Sequence, residues 1–215
     1  MEFDRVRNDE QRKIRIQQIK DGATKLFDTM QYHEITLALI ANETAFTRGN
    51  LYKYITSKEE IFMLVILDEV RDWIKDLEDN INDNMSGDIK GFSETWANIT
   101  FRHIRLLKLM TLHFAILERN VPLDRLVKFK DDWFIETSKC FNIVRKAFPK
   151  WDAKTLRMFL DAAKNYAIGL FPMTSPSQIQ REAVEASTMV YEFPDFVKDY
   201  SRFLEIHTTA LNDLS

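Results

Sequence analysis

From residue 16 onward apolar side chains return at Ile16, Ile19, Ala23, Leu26, Phe27 and Met30, with Arg12, Lys13, Arg15, Gln17 and Gln18 mostly off that line. Spacings of three and four put the apolar set on one side of an α-helix. Tyr32-His33-Glu34 makes a short link, and Thr36 then stands where its hydroxyl can cap a helix carrying Leu37, Ile40 and Ala41. This second helix is short and ends near Thr44. Thr47 offers another cap, and the helix it opens turns Leu51 and Ile55 inward while Arg48, Asn50, Lys53 and Tyr54 fall largely on the other side. After Thr56-Ser57, Glu59 and Glu60 occupy a first turn, where acidic groups suit the positive end of the helix dipole. A long helix is predicted from Lys58 to Asn84, about 27 residues spanning roughly 40 Å.

The helical pattern continues over Ile89 to Leu117, Leu126 to Phe148 and Ala153 to Phe171, with breaks at Met85-Ser86-Gly87-Asp88, Val121-Pro122 and Phe148-Pro149. A looser stretch holds Pro172 and Pro176. A last helix follows Pro194, with Phe196, Val197, Tyr200, Phe203, Leu204 and Leu211 along one side. Five Gly and five Pro in 215 residues agree with long elements and sparse turns. The prediction is an all-α protein: an N-terminal three-helix helix-turn-helix domain at 1–57 and a helical domain at 58–215.

Composition narrows the functional classes. With 45% apolar residues the chain can bury a proper core. The lone Cys140 cannot form an intrachain disulfide, and MEFDRVRNDEQRKIRI lacks the apolar run of a signal peptide, so a cytoplasmic protein is expected. The longest unbroken apolar run, Ile61 to Leu67, is seven residues. A bilayer needs about 20, so no membrane association is expected. Lys and Arg number 30 against 33 Asp and Glu, a net charge of −3, and the first 60 residues are balanced at ten of each sign. Binding to nucleic acid must therefore rest on local charge placement. No glycine-rich phosphate loop, HExxH or GxSxG occurs, and Cys140 and the histidines form no ligand cluster. No catalytic residue, cofactor or metal site is predicted.

Two short helices joined by a tight turn form a helix-turn-helix, whose second helix can enter the DNA major groove. That use explains the mixture in TAFTRGNLYKYITSKEE, residues 44–60. Leu51 and Ile55 anchor the segment, while Arg48, Asn50, Tyr52, Lys53 and Tyr54 offer donors and flat faces to bases and phosphates. Gly49 costs a helix interior about 1 kcal/mol relative to Ala, which predicts close approach of a phosphate or base edge to its backbone. Thr36 and Thr47 sit at helix starts whose amides can receive phosphate oxygens, and Lys58 opens the next helix near the same strand. Capping alone explains both threonines equally well.

From Ile19 through Phe62 the chain resembles the DNA-binding domain of the TetR/AcrR family of bacterial transcriptional regulators. The likeness rests on Ala23, Leu26-Phe27, Tyr32, Thr36, Ile40-Ala41, the run Thr47-Arg48-Gly49-Asn50-Leu51-Tyr52-Lys53-Tyr54, and Ser57-Lys58-Glu59. Gln31, Ala38 and Ala45 depart from the family pattern. The resemblance implies a homodimer on palindromic double-stranded DNA, with a C-terminal helical domain that binds a small effector and supplies the dimer interface; repression is the family's usual mode. Such dimers read half-sites about 34–36 Å apart.

For the interface, a four-helix bundle is expected from Leu156, Phe159, Ala163 and Ala167 on one helix and Tyr200, Phe203, Leu204, His207 and Leu211 on the last, the other reading being that both stripes face their own core. For the effector pocket the candidates are Trp73, Trp96, His103, Met110, Phe114, Trp133, Phe134 and Phe141, which suit a small apolar or amphipathic ligand and equally an ordinary core. His103, His113 and Asn98 are polar groups at apolar positions that need partners. A helical adaptor whose head binds protein rather than DNA is the competing function.

Overall fold

A computed structural model describes residues 2–44 and 46–214. Among the described residues there are ten α-helices and no strand: α1 Glu2–Thr29, α2 Leu37–Glu43, α3 Arg48–Leu51, α4 Lys58–Asn80, α5 Ile89–Arg102, α6 Ile104–Leu112, α7 Leu123–Ala147, α8 Ala153–Thr174, α9 Gln178–Ala186 and α10 Phe196–Asp213. No described helix is long and apolar enough to cross a membrane. The chain divides into two compact units, Met1–Asp68 with Leu112–Trp133, and Glu69–Thr111 with Phe134–Ser215.

In the first unit the apolar stripe of α1 closes over the start of α4. Ile19, Ala23, Ile40, Leu51, Ile55, Ile61 and Phe62 are all buried. The Phe62 ring lies 5.3 Å from Phe27 and 5.4 Å from Tyr32. Tyr32 donates its hydroxyl to Glu59 at 2.8 Å, and burial together with that carboxylate pushes the phenol above its ordinary pKa. Helix α2 crosses α1 at Gly22, where a Cβ would stand 2.3 Å from Thr44 Cγ2, so only hydrogen fits. The start of α4 is fastened from both sides. Ser57 accepts the Glu60 amide at 3.2 Å, and the buried Glu60 carboxylate accepts the Thr56 amide and hydroxyl, each at 2.7 Å.

Residues 112–133 return to this unit, and the Ser57 hydroxyl donates to the Asn120 carbonyl at 3.2 Å. A single cut after residue 57 would separate Phe62 from Phe27, so the compact units differ from the predicted 1–57 and 58–215 spans.

The second unit is built on α5, α8 and α10. Trp96 is surrounded by Phe92 at 5.6 Å and Phe159 at 5.3 Å. Its indole N–H donates to the Tyr200 hydroxyl at 3.2 Å, which donates to the Ala163 carbonyl at 3.1 Å. The buried Trp96 indole and Tyr200 hydroxyl thus both donate to partners. Cys140 is buried on α7, and loss of solvent pushes its thiol up to about 12.

Four elements differ from the predicted pattern. Helix α4 stops at Asn80 rather than Asn84: Asn82 accepts the Asn84 amide at 3.0 Å and opens a 3-10 turn, and Gly87 follows with φ +79°. The helix expected over 89–117 breaks at His103, whose φ of −92° and ψ of 54° end α5, and it finishes as a π-turn at His113–Leu117. Helix α8 continues through Pro172 to Thr174. Helix α9 occupies what reads as a loose stretch, opened by a Ser177–Gln180 capping box.

Candidate nucleic-acid interface

Thr36 and Thr47 are both N-caps, accepting the amides of Leu39 at 3.2 Å and Asn50 at 3.3 Å. The recognition segment is a shorter helix than the expected 47–54 coil. Only Arg48–Leu51 is α-helical, and Tyr52–Tyr54 complete it as turns, with Lys53 N–H donating to Asn50 O at 3.2 Å and Tyr54 N–H to Leu51 O at 3.0 Å. Leu51 and Ile55 are 0% and 1% exposed. Arg48, Gly49, Asn50, Tyr52 and Lys53 are all exposed. Anchor and display faces are therefore separate, which is what a groove-reading helix needs. Among the described residues neither Arg48 nor Lys53 enters an ion pair, so both cations remain available to phosphates. A Cβ at Gly49 would meet nothing within 4 Å.

Two predicted contacts have work inside the head itself. The Tyr54 ring is half-buried, 6.1 Å from Phe46, with the Arg12 guanidinium 5.6 Å from its centre. The Lys58 ammonium donates to the carbonyls of Tyr32 at 3.1 Å and Ile35 at 2.7 Å, and sits 4.3 Å from the Tyr32 ring. Gln31 opens the turn Tyr32–Glu34 by donating its amide to the Glu34 carboxylate at 2.9 Å, while Ala45 lies outside the described residues. Arg12 and Arg15, beside Tyr54 and Phe46, were missed as neighbours of the segment. Only the local run of cations at Arg12, Lys13 and Arg15 hints at them.

The aromatic and polar residues expected to line an effector pocket are shared between the two compact units. Phe114 and Trp133 belong to the first unit, and the other six to the second. Trp73 packs edge to face on Trp96 at 5.5 Å and donates to Thr100 at 3.2 Å. His103 lies 3.2 Å from the Asp76 carboxylate, Met110 is buried, and Phe141 is half-buried. Phe134 and Phe114 are exposed. Asn98 is exposed and bonds the Glu94 carbonyl at 2.7 Å, and His113 is buried 2.9 Å from Glu118 in the first unit.

Residues 67–212 match the family described as "Tetracyclin repressor-like, C-terminal domain", more than half of the chain. The chain belongs to the TetR family. It is a transcriptional regulator, and TetR-family regulators are not enzymes. A solved structure described as a Clostridium perfringens fatty acid metabolism regulator is 19% identical, with 91% of this chain and 97% of that one covered at a TM-score of 0.47. No curated protein matches this TetR-family chain.

The expected dimer stripes of this TetR-family regulator need correction. Leu156, Phe159, Ala163, Ala167, Tyr200, Leu204 and Leu211 are at most 4% exposed within a single chain. They fill the chain's own core against α5, so no surface on them remains for a second copy. Phe203 and His207 are half-buried and stack on each other at 5.6 Å, with Phe203 also on Tyr166 at 3.8 Å. The outward stripes are Met158, Ala162, Tyr166, Gly169 and Met173 on α8, and Phe203, Ile206 and Ala210 on α10, at helical spacing.

Proposed function

We propose that this TetR-family regulator binds a palindromic stretch of double-stranded DNA as a homodimer, represses transcription there, and is released by a small apolar or amphipathic effector. The observation that carries the reading is the pairing of two buried anchors, Leu51 and Ile55, with five exposed neighbours, Arg48, Gly49, Asn50, Tyr52 and Lys53. Arg48 and Asn50 suit base edges, Lys53 suits phosphates, and Tyr52 offers a flat apolar face. The bare Gly49 lets a backbone atom of DNA come close, since nothing of the protein fills that space.

Dimerisation is proposed through the outward faces of α8 and α10. Their two stripes meet where Tyr166 stacks on Phe203, and the exposed Gly169 would let a partner helix approach. An effector that prefers the DNA-free dimer weakens operator binding by linkage, typically by about 1–3 kcal/mol. Fluorescence anisotropy with labelled duplexes tests the DNA reading. A dimer contacting about 6–10 phosphates is expected to lose about 10³–10⁵ in affinity between roughly 50 and 200 mM salt. Salt-independent association would favour a protein partner for the head.

A further inference from the structure

The first unit holds a cleft of about 190 Å³ against the end of the recognition segment, lined by Tyr54 and Ile55. Its floor is apolar, with Met63 and Phe129 among its walls. Its charged lining consists of Arg12, Arg125 and Lys128 against Glu60 and Asp132. From these residues we propose that the cleft binds a small amphipathic organic anion, a carboxylate-bearing ring or short chain, with Arg12 as its charge partner.

Two of the three cations are already paired with carboxylates. Asp132 is held by Lys128 at 3.0 Å. One oxygen of Glu60 takes both Thr56 donors at 2.7 Å, and the other faces Arg125 at 3.4 Å. Arg12 alone of the three cations meets no carboxylate among the described residues. Its guanidinium makes only a long 3.5 Å contact to the Lys53 carbonyl and lies 5.6 Å from the Tyr54 ring centre. A charge-assisted bond to a carboxylate is roughly twice as strong as a bond between neutral groups, so an anion competes well for that guanidinium. A cationic ligand would meet Arg12 and Arg125, and a neutral one would forgo the pairing. The volume lies below the roughly 300–1,000 Å³ typical of pockets for drug-sized ligands, which limits the guest to a single ring or a short chain.

The site needs no DNA. Its regulatory consequence rests on the proposed DNA reading: an anion that draws Arg12 from the Lys53 carbonyl loosens the segment that presents Lys53 and Tyr52.

Methyl-resolved NMR of the full chain, titrated separately with 4-phenylbutyrate, its primary amide and the matching amine, tests the site. The acid is expected to shift the methyl signals of Met63, Leu64 and Leu67, with the amide about tenfold weaker and the amine without effect. Arg12→Gln is expected to weaken the acid about tenfold, and Leu64→Trp, which fills the cleft, to abolish its shifts in a protein that still melts cooperatively. Equal binding of the three compounds, an unchanged affinity in Arg12→Gln, or shifts confined to other residues would overturn the proposal. Acid binding by a protein that ignores every duplex supports the site while removing the DNA reading, so the two failures are distinguishable.

Discussion

Leu51 and Lys53 stand two positions apart, one sealed in the head and the other in solvent. Leu51→Ala is expected to destabilise the head by about 2–5 kcal/mol, seen as a lower melting temperature. Arg48→Ala and Lys53→Ala are expected to leave melting nearly unchanged and to weaken duplex binding. Equal loss of stability in all three variants would mean that the two faces are misassigned. Gly49→Ala separates fold from function still more sharply. Open space around Gly49 lets the added methyl raise helix stability by up to about 1 kcal/mol, while the same methyl intrudes on any DNA backbone seated there. Thermal melting and anisotropy on one preparation check both halves. Spacing alone made the anchors and the exposed cations legible. It could not show the tasks of Tyr54 and Lys58, because their partners, Phe46, Arg12 and the Tyr32 and Ile35 carbonyls, are set by tertiary folding.

At the scale of elements, capping residues are local signals, and Thr36 and Thr47 sit at helix starts as expected. A stripe at helical spacing says that one side is buried, not against what. That is why the apolar stripes of α8 and α10 read as an interface and turned out to face α5, whose Trp96 and Phe92 fill the same space. At the break His103 meets the Asp76 carboxylate, and at the turn Asn82 accepts the Asn84 amide, contacts that periodicity does not report. Gly22 is legible only as an odd residue in a good helix, yet it sets the crossing of α1 and α2. Gly22→Ala is expected to cost about 1–3 kcal/mol through overlap with the Thr44 methyl, and Thr44→Ser, which deletes that methyl, to restore much of it. Chemical denaturation of the single and double variants measures the coupling. Across α8 and α10, Ile206→Glu on the exposed stripe is expected to give a folded monomer in light scattering. A dimer unaffected by that charge would place the interface elsewhere.

The whole molecule carries a net charge of −3, so its field does not favour DNA. On the proposed DNA reading, affinity has to come from the small patch that the recognition segment presents. Membership of the TetR family rests on residues 67–212 and does not depend on that patch. Residues 112–133 rejoin the first compact unit from far along the chain, which local spacing does not report. Selection of bound duplexes from a random pool by the purified full-length protein at low ionic strength is the most direct test. Recovery of an inverted repeat with half-site centres about 34–36 Å apart is expected, lost when Arg48 and Lys53 are both changed to Ala. A pool that shows no enrichment, or enrichment that survives the double change, would contradict it.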